Sequence, residues 1–182
     1  MRFMCVRETS VEWYTPREIF EALKLEFDLD PCSPGADVVP WIPVRRHIVR
    51  PRNGLFEPWE GRVWLNPPYG GETVRWIQRL AGHGDGVALV SARMDTRWFH
   101  EWASTADVIC FVRGRLNFVP ERHAAEYAAG LWVPGGENCT SDVGSMLLAW
   151  GADNAAAVSA SGLGSCCTIS APVRRVRSLQ LI

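Results

Sequence analysis

Residues 66–69 of this 182-residue chain read Asn-Pro-Pro-Tyr and combine an amide, two prolines and an aromatic ring. They close a predicted strand over residues 62–66, because consecutive prolines cannot donate hydrogen bonds to a sheet. The corner would hold the Asn66 side-chain oxygen beside the Pro67 carbonyl, where both could accept N–H groups of one planar amino group. Tyr69 would offer a flat face for a planar ring. The pattern favours methyl transfer to an amino nitrogen conjugated with a ring or a carbonyl.

A structural alternative is that Asn66 only caps a turn and that Tyr69 packs in the core. The surroundings of the motif favour chemistry, because a second predicted strand, residues 27–30, also ends at a proline, in Asp30-Pro31-Cys32. In open α/β sheets, ligands bind at the carboxyl ends of the strands. Both corners are therefore expected at one ligand-binding edge.

The elements that would position these corners alternate along the chain. Strands are predicted at residues 27–30, 47–49, 62–66, 86–90, 107–112 and 144–150. Helices are predicted at residues 15–25, 73–81, 96–103 and 154–161. In the first helix Thr15 is the expected N-cap, with Glu18 at the capping-box position. Continuous apolar strands that alternate with helices indicate an α/β fold with a mainly parallel sheet and helices on both faces.

Composition limits the class of protein. The length fits one domain, and 47% hydrophobic with 21% charged residues excludes a disordered or fibrous chain. No apolar run reaches the roughly 20 residues that span a bilayer. The first residues are too charged for a signal peptide, so a cytoplasmic protein is expected.

The net charge is −1, which alone argues against strong electrostatic binding of nucleic acid. The type of basic residue is more informative, because 18 of the 19 are arginines and only Lys24 is a lysine. A GC-rich coding sequence accounts for part of that bias, and arginine also makes the better fork for phosphates and base edges.

The six cysteines give an even number, which could suggest disulfides or a zinc site. No C-x-x-C pair is present and no cysteine lies near two histidines at ligand spacing. Cys110 lies in an apolar run and is expected to be a small buried side chain. Reduced thiols and no metal are predicted.

Together with their order and spacing, these motifs resemble the phage-type DNA N-6-adenine methyltransferase (Dam) family, whose members use S-adenosylmethionine. The matching pieces are residues 12–16 (EWYTP), 27–32 (FDLDPC), 53–55 (NGL) with Trp59, 63–70 (VWLNPPYG), 91–100 (SARMDTRWFH) and 113–118 (RGRLNF). The resemblance covers roughly residues 12–151. It implies a Rossmann-like class I methyltransferase fold and transfer of a methyl group to N6 of adenine in double-stranded DNA.

The resemblance also implies roles for individual residues. The catalytic motif would be Asn66, Pro67, Pro68 and Tyr69, gripping an adenine that has left the helix. The cofactor would be contacted by Tyr14, Thr15, Pro16, Asp30, Pro31, Asn53, Gly54 and Leu55.

Two departures affect the cofactor site. Relatives often carry an acid where Asn53 stands. The glycine-rich loop usual after the first strand in the wider methyltransferase class is reduced here to a single glycine, Gly35, a form that the phage-type family shares. No acidic residue lies between Asp37 and Glu57, so the usual carboxylate for the cofactor ribose has no clear position, and Asp30 could serve instead.

Contacts to DNA are expected from arginines in loops, since phosphate contacts come mainly from basic side chains. The candidates are Arg45, Arg46, Arg52, Arg93, Arg97 and Arg115. The long segment of residues 114–138 is a candidate excursion that faces DNA or reads the target. For each of these groups, a solvated loop or helix end is the structural alternative.

The domain boundaries expected are an N-terminal extension at residues 1–11, a methyltransferase domain at 12–170 and a tail at 171–182. Two functional alternatives remain at this point. Asn-Pro-Pro-Tyr also suits methylation of a protein glutamine amide, and a catalytically silent module that binds nucleic acid or cofactor would account for the short chain.

Overall fold

The computed structural model describes residues 12–135 and 143–168. The expected extension at 1–11, the tail at 171–182, and the thiols of Cys5 and Cys139 lie outside the described residues. Nine strands are described: β1 Trp13–Tyr14, β2 Phe27–Asp30, β3 Val44–His47, β4 Val63–Leu65, β5 Gly86–Ser91, β6 Val108–Val112, β7 Val119–Pro120, β8 Ser145–Trp150 and β9 Gly164–Cys167. The α-helices are α1 Arg17–Leu23, α2 Thr73–His83, α3 Arg97–Glu101, α4 Ala124–Ala128 and α5 Ala152–Ala160.

Seven strands form one mixed sheet in the order β3-β2-β4-β5-β8-β6-β9. The pairs from β3 to β5 are parallel, whereas β8 is antiparallel to both β5 and β6, and β9 is antiparallel to β6. The prediction of an α/β fold is confirmed, but the sheet is parallel only in its first half. Strand direction was not readable from β8, because it is buried throughout and an apolar run looks the same in either direction.

Alternating side chains of the central strands fill two cores, one on each face. Trp64 packs with α1 and α5 on one face, while Val63 and Leu65 pack with α2 on the other. Helices therefore cover both faces, as predicted.

The start of α1 corrects one prediction. Its N-cap is Pro16 and makes no side-chain capping bond, so the expected Thr15–Glu18 capping box does not form. The buried Thr15 hydroxyl has no hydrogen-bond partner among the described residues. Glu18 instead accepts a hydrogen bond from the hydroxyl of Tyr127 (3.2 Å).

A second, two-stranded sheet pairs β1 with β7. It fastens the segment before α1 to the excursion after β6, which was predicted to be irregular and contains β7, a 3-10 turn and α4 in its described part. The strand predicted at residues 47–49 lies at Val44–His47, where β3 pairs in register with β2.

Within the described ranges, no helix is long and apolar enough to span a membrane, and no cluster of three or more metal-ligating side chains is present. The described cysteines form no disulfide bonds with one another, and Cys110 is buried as predicted. They are Cys32, Cys110, Cys166 and Cys167.

Candidate functional site

A large cavity of about 1110 Å³ lies at the carboxyl ends of β2, β3 and β4. Single small-molecule sites usually occupy about 300–1,000 Å³, so this cavity has room for more than one ligand group. Most of the predicted site residues line it: Tyr14, Thr15, Asp30, Pro31, Arg52, Asn53, Gly54, Asn66, Pro67, Pro68 and Tyr69. Of the residues predicted to contact the cofactor, Pro16 and Leu55 do not line the cavity.

The side-chain amide of Asn66 is held in one orientation at this edge. Its Nδ2 donates to the backbone carbonyl of Trp13 (3.2 Å), which leaves Oδ1 pointing away from that carbonyl. Oδ1 is buried and has no hydrogen-bond donor in the described part of the chain. An unpaired buried acceptor costs about 1–3 kcal/mol, a cost that an incoming N–H would relieve.

The backbone around Asn66 is also fixed. The Cys32 thiol donates to the Asn66 carbonyl (3.2 Å), and the Thr73 hydroxyl donates to the Pro68 carbonyl (2.8 Å). The first contact joins the end of β2 to the end of β4, so the two predicted corners form one structure. Tyr69 follows with its side chain about half exposed, at 49%.

Asp30 is a buried carboxyl in the cavity wall. The backbone N–H of Cys32 donates to its Oδ1 (3.1 Å). Removal from water raises the pKa of Asp30 to about 7, and the hydrogen bonds from Cys32 and Ser33 only partly oppose this shift. The group can therefore change its charge near neutral pH.

Residues 53–55 form a tight turn against the end of β2. The Asn53 side chain accepts a hydrogen bond from the backbone N–H of Leu55 (3.0 Å), so its Oδ1 serves the turn. Gly54 lies so close to Pro31 that an added Cβ would be 1.8 Å from the Pro31 carbonyl oxygen. Only glycine fits at this contact. The contact brings together two of the segments expected to bind the cofactor, Asp30-Pro31 and residues 53–55.

Unpaired polar atoms concentrate in the cavity wall. Six buried side-chain nitrogen or oxygen atoms lack a partner in the described chain, and four belong to residues that line this cavity. Besides Asn66 Oδ1 they are Thr15 Oγ1, Trp64 Nε1 and Trp76 Nε1. Sequence reasoning missed both tryptophans, because an indole in an apolar pattern is usually core and its unpaired N–H is visible only in three dimensions.

The predicted DNA-contacting arginines do not form one group. Arg52 lines the cavity and pairs with Glu57 (2.5 Å). Arg45 pairs with Asp28 (3.2 Å), and Arg46 donates to the Pro58 carbonyl (2.6 Å). These two side chains line a separate cavity of about 400 Å³.

The remaining three arginines lie after other strands. Arg93 and Arg115 are exposed, and Arg97 pairs with Glu101 (2.6 Å) on α3. None of them lines the large cavity. Arg50, which was not among the candidates, is exposed and does line it.

A family model described as DNA N-6-adenine-methyltransferase (Dam) matches residues 5–131, which is more than half of the chain. No curated protein and no solved structure matches.

Proposed function

We propose that this chain, which belongs to the DNA N-6-adenine-methyltransferase (Dam) family, transfers a methyl group from S-adenosylmethionine to N6 of adenine in DNA. The observation that carries the proposal is the Asn66 amide. Its orientation is fixed by the carbonyl of Trp13, and its buried oxygen has no donor of its own. An amino group is the kind of ligand that such an oxygen requires.

The cavity suits a polar cofactor beside a planar base. Asp30, Pro31 and Gly54 would hold the cofactor at the end of β2, and the buried unpaired donors and hydroxyl behind the same wall would reach its polar atoms once the groups that cover them move. When bound, S-adenosylmethionine supplies an electrophilic methyl group. The fold supports this assignment, because five strands of the sheet run in one direction and the cavity lies at the carboxyl ends of three of them, as expected for a Rossmann-like class I arrangement.

The chain's own residues would position the amino nitrogen. Asn66 Oδ1 and the Pro67 carbonyl accept its two N–H groups and stabilise the positive charge that develops on the nitrogen during transfer. Tyr69 stacks on the base and holds its plane. No strong general base is required during transfer, because the nitrogen becomes acidic once it carries the methyl group and then releases one proton to water, while the demethylated cofactor leaves as a neutral thioether. Alignment of the reacting groups contributes several kcal/mol.

Access to the acceptor needs a change in the wall. Asn66 Oδ1 is out of contact with water in this structure, so a base reaches it only when the covering groups move. Arg50 and Arg52 lie at the cavity and would meet the phosphates beside the extruded nucleotide. Arg45 and Arg46 are engaged elsewhere, and the proposed DNA face therefore centres on the 50–52 segment.

The deciding experiment offers the purified protein isotopically labelled S-adenosylmethionine with three acceptors: adenine-containing duplex DNA, a duplex of only G·C pairs, and a glutamine-containing peptide. We expect label in N6-methyladenine from the first duplex alone. Label in the peptide would favour the glutamine alternative. Binding of cofactor or DNA without any transfer would favour a silent module, and either result would overturn the proposal.

A further inference from the structure

The loop of residues 53–59 presents an aromatic side chain to solvent. Phe56 is 73% exposed, although every other phenylalanine in the described ranges is buried or partly buried. An exposed ring gains no stability from burial, so packing in the core does not account for the position of Phe56.

The loop is held firmly by hydrogen bonds. The Phe56 N–H donates to the Asn53 carbonyl (2.9 Å), and the Trp59 indole donates to the Gly54 carbonyl (2.8 Å). The Arg79 guanidinium donates to the carbonyls of Leu55 and Glu57. Phe56 is thus displayed from a fixed support, and its backbone has little freedom to fold the ring inward.

The loop of residues 53–59 adjoins the mouth of the large cavity on two sides. Asn53 and Gly54, within the same loop, line the cavity. The Arg75 guanidinium lies 5.8 Å from the Phe56 ring centre and also pairs with Glu72 (3.3 Å), another lining residue. One side of the ring is therefore backed by a cation.

The surroundings carry positive charge suited to nucleic acid. Four arginines, Arg50, Arg52, Arg75 and Arg79, lie beside or within reach of the loop, against three carboxylates, Glu57, Glu60 and Glu72, which leaves a small local excess of positive charge. Exposed aromatic rings beside basic groups are the combination that single-stranded bases recognise, because every base has a face for stacking.

We infer that Phe56 is a stacking platform for a nucleobase left unstacked when the target adenine leaves the helix. The inference rests on the proposed function and adds a DNA contact beyond the Asn66 corner. The platform holds the opened DNA at the mouth, next to Arg50 and Arg52, while the target base occupies the cavity. Since a ring face is what matters, tryptophan should replace phenylalanine well and alanine should not.

The test uses a duplex that the wild-type protein methylates. Phe56→Ala should weaken binding of this duplex about 5- to 150-fold, the range expected from loss of one base stack. Phe56→Trp should restore binding to within a few-fold of wild type. Gln78→Ala is the control, because Gln78 is an exposed, uncharged side chain on α2 that lies outside the cavity wall. Affinity for S-adenosylmethionine and the melting temperature should be unchanged in all three variants.

Unchanged DNA affinity in Phe56→Ala, or failure of Phe56→Trp to restore it, would overturn the inference while wild-type methylation still stood. A fall in melting temperature that matched the loss of binding would also overturn it, because the ring would then be structural. If the wild type methylates no duplex, it is the proposed function that fails.

Discussion

At the scale of single residues, the amide of Asn66 is the most informative group in the chain. Its nitrogen is committed to the Trp13 carbonyl, and its oxygen is free in the described structure. We expect Asn66→Ala to lower the methylation rate about 10²- to 10³-fold, the usual cost of removing one preorganised polar contact in a dry site. Affinity for cofactor should change little. Initial rates and calorimetry on the same preparations measure both quantities.

Asn66→Asp serves as the informative second variant. It keeps an acceptor but loses the donation to Trp13, so its rate should lie between those of the wild type and Asn66→Ala. If Asn66→Ala methylated DNA at the wild-type rate, the catalytic assignment would be wrong.

Trp76 provides a different residue-level prediction. Its side chain is 5% exposed, it lines the cavity, and its N–H has no acceptor in the described part of the chain. Trp76→Phe removes this donor, and we expect S-adenosylmethionine to bind about tenfold more weakly, as for the loss of one hydrogen bond. Trp150→Phe is the matched control, since its N–H is paired with Thr105 away from the cavity. Equal cofactor affinity in both variants would show that the Trp76 N–H contacts no cofactor atom.

The residues that could be predicted were those with an unusual local pattern. Asn66 and Asp30 stand directly before prolines at strand ends, and that pattern was enough to bring them to one edge of the sheet. Trp64 and Trp76 could not be found in the same way. Their apolar surroundings are ordinary, and an unpaired N–H depends on which distant groups come near.

At the scale of elements, the end of β2 carries a titrating group. Burial raises the pKa of Asp30 to about 7 from an ordinary value of 3.8. Between these two values the unfolded chain releases the proton while the folded chain keeps it. The group therefore lowers the free energy of unfolding as pH rises from about 4 to about 7, and the loss is complete above that range.

Asp30→Asn should remove this dependence, because a neutral amide can accept the same Cys32 hydrogen bond. We expect the variant to be more stable than the wild type at pH 8, with a smaller difference at pH 5. Asp37→Asn, at an exposed position, is the control for loss of one carboxylate. Urea unfolding of the three proteins at both pH values measures their free energies of unfolding. A stability gain of Asp30→Asn over the wild type that grew as pH fell would contradict a raised pKa for Asp30.

Predictions of strands were confirmed where the local sequence marks the strand. They were inexact where pairing with another strand sets the bounds. Strand β5 was recognised from its apolar run, and strands β2 and β4 from short segments that stop at a proline. The pattern for β3 was weak, because Arg45 and Arg46 occupy its centre, and its bounds are set by pairing with β2. The predicted Thr15 N-cap was wrong, because a capping-box pattern in the sequence does not determine the backbone path before the helix. The N-cap of α1 is Pro16.

At the scale of the whole molecule, charge is distributed unevenly despite the net value of −1. We expect DNA binding to weaken with salt, with each neutralised phosphate adding about 0.9 to the log–log slope. Arg50→Ala and Arg52→Ala together should lower the slope by up to about 1.8, less for Arg52 because of its pairing with Glu57. Fluorescence anisotropy over a salt series measures it.

Arg45→Ala is the control for that series, because Arg45 pairs with Glu26 and Asp28 beside the smaller cavity. A larger effect on the slope from Arg45 than from the pair at the mouth would place the DNA face on the edge strand instead.

The small sheet of β1 and β7 has a consequence for which bases the protein accepts. Pairing with β7 holds the Trp13 backbone, and the Trp13 carbonyl in turn prevents the Asn66 amide from rotating to present its N–H groups. A base with a carbonyl in place of the amino group, such as hypoxanthine, would then meet oxygen with oxygen and be rejected. If Asn66 accepts the target amino group as proposed, discrimination between an amine and its deaminated product would be enforced by main-chain atoms about fifty residues along the sequence from the amide that they restrain.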